Sequence, residues 1–251
     1  MSRAEDGAPN GANRVCDDAE VTAPGEAAQA VPAAEASIGE PRWPPAVALF
    51  VYLALNITLR VWLPHDSAVR VSWLLPSIEA ALILLLLLGN PSRLGKHTQR
   101  VHQVAVAFVV LLVVAALWAT GLLIYDLIQG TGVTNSPSEL LAAGGLVWLG
   151  NNLAFALLYW LIDSGGPIVR SRHPEPVDFA FTQHMSPELA RPGWRPVFLD
   201  YLHLGFTNAT AFSPTDVMPL THRAKYTMLV QSTVALALFG LIVARAVNAF
   251  T

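Results

Sequence analysis

Apolar and polar positions along this chain separate into long blocks instead of alternating with a short period. From Pro44 onward, apolar runs of about 20 residues follow one another, and about 20 helical residues are what it takes to cross about 30 Å of hydrocarbon. Five runs meet that length: "PPAVALFVYLALNITLRVWL" over 44–63, "VSWLLPSIEAALILLLLLG" over 71–89, "VAVAFVVLLVVAALWATGLLIYDLI" over 104–128, "LLAAGGLVWLGNNLAFALLYWLI" over 140–162 and "YTMLVQSTVALALFGLIVARAVNAF" over 226–250. A sixth, "PVFLDYLHLGFTNATAF" over 196–212, is shorter and carries Asp200, His203 and Asn208. It suits a re-entrant or protein-buried helix better than a lipid-facing span. The pattern therefore predicts an all-α integral membrane helical bundle of about five transmembrane helices plus one re-entrant, pore-like helix, with six spans as the alternative.

The organisation follows from the same blocks. Residues 1–42 are rich in Ala, Pro, Gly and acids without apolar periodicity, and read as a disordered N-terminal tail. Residues 43–165 hold the first four spans, 166–195 a polar loop, and 196–251 the short helix, a hairpin and the last span. The tail lacks the basic start and apolar run of a secretory signal, so Cys16 is not expected to carry a lipid.

Composition agrees with the block pattern. Apolar residues make up 53% of the 251 residues, charged residues only 13%, and the formal net charge is −3. No basic face of the kind that binds nucleic acid is in view. With Cys16 as the single cysteine, an intrachain disulfide and a multi-cysteine metal site are both excluded. The seven histidines are scattered, without the i, i+4 pair and carboxylate of a zinc helix, so no metal and no cofactor is expected. There is no Gly-x-Ser-x-Gly elbow and no Walker-type loop, and the chain is not read as an enzyme.

Candidate chemistry lies in two places. Glu79 is the ionisable residue most clearly inside a span, where an unpaired charge costs several kcal/mol. Asn151 and Asn152 in the fourth span either line a polar path or bond between helices, beside Gly144, Gly145 and Gly150, which permit close approach. Arg60, Asp126, Asp163 and Arg245 stand near span ends, where snorkelling to the interface would accommodate them. Asp200 and His203, at i and i+3, are placed to share a helix face.

The second place is the stretch "DYLHLGFTNATAFSPTDVMPLTHRAKYTMLVQSTVALALFGLIVARAV" over 200–247. It resembles the pore half of two-helix potassium channels. In that family a pore helix ends in a Thr-rich turn, a Val-Gly-Tyr-Gly-Asp filter follows, and a Pro-x-Thr step leads into the inner helix. The resemblance assigns Phe206 to the pore-helix aromatic, Thr210 to a filter threonine, Asp216 to the closing aspartate, Pro219 and Thr221 to the Pro-x-Thr step and Gly240 to a hinge. The filter departs from the family: Ser213 and Thr215 replace both glycines and Pro214 the aromatic, which argues against a potassium filter built on glycine backbone angles. Thr207, Asn208, Thr210, Ser213, Thr215 and Asp216 are then the pore-like residues. The whole chain is also similar to a group of uncharacterised bacterial multi-spanning membrane proteins, a resemblance that implies the bacterial inner membrane and no activity.

These readings imply a multi-pass protein whose partners are the lipid bilayer and further copies of itself, a tetramer if it is channel-like. Its expected role is a pore module for an ion or small polar solute. A non-conducting scaffold or sensor and a secondary transporter are the rivals. Orientation is divided: Arg93, Lys96 and Arg100 in one loop and Arg170, Arg172, Arg191 and Arg195 in another place both loops in the cytoplasm. A potassium-channel topology would put the second of these loops outside.

Overall fold

The computed structural model describes residues 40–41, 43–62, 76–81, 98–129, 137–172, 176–211 and 216–250. Of these, 85% of the interpretable residues are helical. Four helices are long and apolar enough to cross a membrane: α1 (Trp43–Trp62), α2 (Thr98–Gln129), α3 (Pro137–Ile162) and α7 (His222–Phe250). Between α3 and α7 lie α4 (Pro167–Arg172), β1 (Phe179–Phe181), α5 (Thr182–Met185), α6 (Phe198–Ala211) and β2 (Val217–Pro219). Of the predicted second span, residues 76–81 are helical and the remainder falls outside the described residues. The expected tail falls outside them as well.

Helix starts follow local chemistry. Pro137 and Pro167 occupy first-turn positions, where a missing N–H costs nothing. Asp200 Oδ2 accepts from the Val197 N–H at 2.7 Å and so caps the start of α6. Its expected pairing with His203 is not what holds it: the His203 imidazole lies 3.7 Å from Asp216 instead. Thr221 precedes α7, and its hydroxyl accepts from the Ala224 N–H at 3.4 Å.

α3 is the central helix, buried along its whole second half from Gly150 to Tyr159. Leu49, Tyr52, Leu112, Phe155, Tyr159, Phe179, Tyr201 and Leu204 share one core. Leu59, Leu123, Leu127, Leu140, Val147 and Leu238 form a second one toward the other end. The two ends of the bundle are thereby distinct. One end, hereafter the clasp end, holds the starts of α1 and α2, the end of α3 and the start of α7. The opposite end holds the end of α2 and the start of α3.

The clasp end is closed by structure that the sequence pattern renders as a polar loop. After Ile162 the chain turns through Ser164, Gly165 and Gly166, with φ of 51°, 74° and 91°. Gly166 is required there: a Cβ would sit 2.6 Å from the His102 ring and 3.1 Å from the Leu161 carbonyl. The chain then forms β1, which pairs antiparallel with β2, Phe179 opposite Pro219 and Phe181 opposite Val217. Phe179 meets Tyr159 edge-on at 5.2 Å, and Phe181 meets Tyr201 at 5.3 Å, so the strand plugs the end of the bundle with aromatic rings.

α6 enters from the clasp end. The Phe198 N–H donates to Glu40 beside the start of α1, and Gly205 packs against Asn152 and Ala156 of α3. Farther along, Phe206 meets Trp148 edge-on at 5.3 Å. Beyond the end of α6 the chain is again at the clasp end by Asp216, whose carbonyl accepts from the Thr182 hydroxyl at 2.9 Å.

Candidate functional site

Three polar layers follow one another through the bundle, and they differ in how completely their groups are paired. The first is the clasp. Asp163, at the end of α3, is fully buried, with 0% exposure. Its Oδ1 accepts from the N–H groups of Asp178 at 2.7 Å and Phe179 at 3.2 Å, and its Oδ2 accepts from the Tyr201 hydroxyl at 2.5 Å. Asp163 therefore does not snorkel to an interface. Its carboxylate replaces water for three donors on two other elements. Asp126, the other acid expected at a boundary, is buried too.

Asp178 is 1% exposed and pairs with Arg223 in a two-pronged geometry, Nε to Oδ1 at 2.6 Å and Nη2 to Oδ2 at 2.5 Å. Thr221 donates to Oδ1 at 2.5 Å and the Ser164 N–H to Oδ2 at 3.1 Å. Burial alone would raise the carboxyl's proton affinity. The Arg223 and Thr221 hydrogen bonds, the Arg223 charge and the Ser164 N–H outweigh it and hold Asp178 below its ordinary 3.8. On the other flank, Arg170 donates to the carbonyls of Trp160 and Asp163 and pairs with Glu40 at 3.2 Å. The Glu40 carboxylate also accepts from the Trp160 indole at 2.8 Å. Carboxylates thus tie the end of α3, α4, β1 and the starts of α6 and α7 together at this end.

The second layer lies deeper. Asn208 of α6 is 1% exposed and donates to Gln231 Oε1 at 2.8 Å and to the Met228 carbonyl at 3.0 Å. Tyr159 donates to the same Gln231 oxygen at 2.6 Å. The Gln231 amide donates in turn to the Gly205 carbonyl at 2.9 Å and stands 3.5 Å from Asn152 Oδ1. This node locks α3, α6 and α7 together.

The third layer is the seam between α1, α2 and α3. Asn56 donates to Glu79 Oε1 at 3.0 Å and to the Tyr52 carbonyl at 3.2 Å. Asn151 donates to Thr120 Oγ1 at 2.6 Å and to the Val147 carbonyl at 3.2 Å. Here the accounting does not close: Glu79 Oε2 and Asn151 Oδ1 are buried with no hydrogen-bond partner among the described residues.

The residues singled out from sequence are distributed over these layers. Asn208 and Asn152 belong to the second layer, Glu79 and Asn151 to the third. Thr207 and Thr210 turn their hydroxyls back to their own helix, to the carbonyls of His203 and Phe206. Thr210 and Asp216 are exposed. Ser213 and Thr215 lie outside the described residues. Gly144 sits so close to α7 that a Cβ would collide with Ile242 Cδ1, and Gly150 faces Tyr52, whereas Gly145 faces open space. Gly240 lies within the continuous α7.

Asp178, Arg223, Tyr201, Tyr159 and Gln231 were not among the residues the sequence drew forward, and Thr221 and Arg170 entered only through the Pro-x-Thr step and the loop charges. "VDFAF" over 177–181 is the signal that identifies the clasp: two aromatics and a lone acid inside an otherwise polar loop. Among the described residues there is no group of three or more His, Cys, Asp or Glu able to hold a metal. No protein-family model, no curated protein and no solved structure matches the chain.

Proposed function

We propose that the chain is a multi-pass protein of the bacterial inner membrane whose α6 is a re-entrant helix, and that it serves as a pore-forming subunit for an ion or small polar solute. One observation carries this reading. α6 is 14 residues long, about 21 Å, too short for a span of about 30 Å. Its start is bonded at the clasp end through Phe198, and the chain after it is back at that end in β2. A helix that enters and returns on one side is the geometry of a pore loop. The reading takes five crossings: the four long helices and the predicted 71–89 segment.

Orientation follows from charge. Arg100, Arg170, Arg172, Arg191, Arg195, Arg223 and Lys225 belong to segments of the clasp end, against Arg60 and Arg245 toward the other end. The positive-inside rule then sets the clasp end in the cytoplasm, and α6 enters from that side. This removes the collision between charge bias and hairpin and departs from potassium-channel topology.

Within the pore reading, Thr210 and Asp216 are the solute-facing groups, together with Ser213 and Thr215 from the sequence. Asn208 is not one of them, because its amide is taken up by Gln231 and Met228. That same internal pairing favours the second reading, a non-conducting scaffold in which α6 is a packing element. The mass of the particle in nanodiscs, followed by flux from proteoliposomes, separates the two. A tetramer whose flux changes in Thr210→Val supports the pore; a monomer without flux supports the scaffold.

A further inference from the structure

The two arginines of the short helix α4, "PIVRSR", are treated in opposite ways. Arg170 is turned inward, 4% exposed, and is taken up by the carbonyls of Trp160 and Asp163 and by Glu40. Arg172 is exposed, and among the described residues no carboxylate forms an ion pair with it. Ile168, Val169 and Arg172 stand at i, i+1 and i+4, so they share one face of α4, and all three are exposed. Another arginine joins them from the segment ahead of α6. Arg195, also exposed, donates through Nη1 to the Ser171 carbonyl at 2.7 Å, the carbonyl of the peptide bond that joins Ser171 to Arg172. That acceptor is neutral, so the bond draws Arg195 to the end of α4 without cancelling its charge. The acids of the adjoining segments are engaged elsewhere: Glu40 with Arg170, Asp163 with Phe179 and Tyr201, Asp200 with the Val197 N–H. Glu188, exposed on the turn before, pairs with neither arginine. Val197 and Leu199, which follow Arg195, are exposed apolar side chains.

We propose that this flank of the clasp end is a binding site for an anionic phospholipid, its phosphate held by Arg172 and Arg195 and its chains lying on Ile168, Val169 and Leu199. Like charges drawn together repel unless an anion lies across them. The planar guanidinium fork suits the oxygens of a phosphate, which it holds through paired N–H groups. The exposed apolar side chains on both sides decide what carries that phosphate: an acyl chain gains from covering them, and a free phosphate does not. Depth in the bilayer agrees. The third candidate span runs over Ser138–Gly165, so α4 begins directly beyond it, at the level of the headgroups. Trp43, exposed at the start of α1 on the same end, stands where an interfacial aromatic belongs. Two uncompensated cations favour a headgroup of net negative charge over a zwitterionic one, whose own ammonium would meet the arginines. The inference rests on the membrane reading of the long helices and is independent of the pore reading.

The test uses the full chain in mild detergent at constant pH and ionic strength, titrated with phosphatidylglycerol or with phosphatidylcholine of the same chains. Phosphatidylglycerol is expected to raise the melting temperature saturably, and phosphatidylcholine to leave it unchanged. Arg172→Gln and Arg195→Gln should each weaken the apparent affinity about fivefold. Lys225→Gln, which removes an exposed cation at the start of α7, should keep the wild-type affinity. Equal stabilisation by the two lipids overturns the site, as does wild-type affinity in the Arg172→Gln, Arg195→Gln double variant. A rise reproduced by inorganic phosphate alone assigns the flank to a free anion and also overturns it. Because the lipid preference is read on the wild type, the test stays decisive where a variant fails to fold. Retention of the chain in the membrane fraction after an alkaline carbonate wash tests the membrane reading separately, so the two failures are told apart.

Discussion

Two groups of buried acids in this molecule obey opposite rules. At the clasp end, Asp163 and Asp178 are surrounded by donors from the turn after α3, from β1 and the residue before it, and from α6, α7 and Thr221, and every oxygen is used. In the seam, Glu79 has one amide donor, and its Oε2, like Asn151 Oδ1, has no partner among the described residues. Both sets cost desolvation, but only the first recovers it within the protein. A saturated carboxylate is an architectural tie: it fixes where β1, α6 and α7 begin. An unsaturated one leaves part of its desolvation cost uncompensated.

That contrast can be broken, the largest effects first. Asp163→Ala leaves two N–H groups and the Tyr201 hydroxyl without an acceptor and should cost about 3–5 kcal/mol, read as a fall in melting temperature in detergent. Asp178→Asn loses charge-assisted bonds to Arg223 and should cost about 2–3 kcal/mol at neutral pH. Because folded Asp178 has a depressed pKa, its contribution is fully present above the ordinary carboxylate value. It is lost as pH falls through the lower, folded value. The gap between wild type and Asp178→Asn should therefore stay constant from about pH 8 to about pH 5 and close in stronger acid. Gln231→Leu strips Asn208 and Tyr159 of their shared acceptor and should cost about 1–3 kcal/mol.

The comparison is sharpened by the acid that should behave in reverse. Glu79→Gln removes an under-paired buried charge, so stability should hold or rise, within about 1 kcal/mol. A loss as large as that of Asp163→Ala would place Glu79 among the architectural acids. Thr210→Val, on the exposed side of α6, should change stability by less than about 0.5 kcal/mol while altering flux in the pore reading.

The long helices were legible in the sequence because a membrane imposes length and apolarity on each segment separately. The observed limits Trp43–Trp62, Thr98–Gln129, Pro137–Ile162 and His222–Phe250 contain or nearly match the apolar runs. The short helix was legible for the same reason: Asp200 and Asn208 interrupt a run already too short to span. Thr221 stands directly before α7. The clasp was not visible. Asp178 and Arg223 are 45 residues apart, and three-residue strands are too short to display alternation. Asp163, directly after an apolar run, has the same local pattern as an interfacial snorkeller, and only the returning strand distinguishes the two. In the seam, sequence found Glu79 and Asn151 but not their incomplete pairing, which depends on what three separate helices bring together.

The central claim is that both flanks of α6 lie on one side of the membrane, and side-selective cysteine labelling tests it most directly. In a Cys16→Ser background, single cysteines at the exposed positions Leu189 and Leu220 bracket α6. The account predicts that both react with a membrane-impermeant maleimide in inside-out vesicles, and neither does in intact spheroplasts. Labelling of the two positions from opposite sides would make α6 a spanning helix and contradict the account.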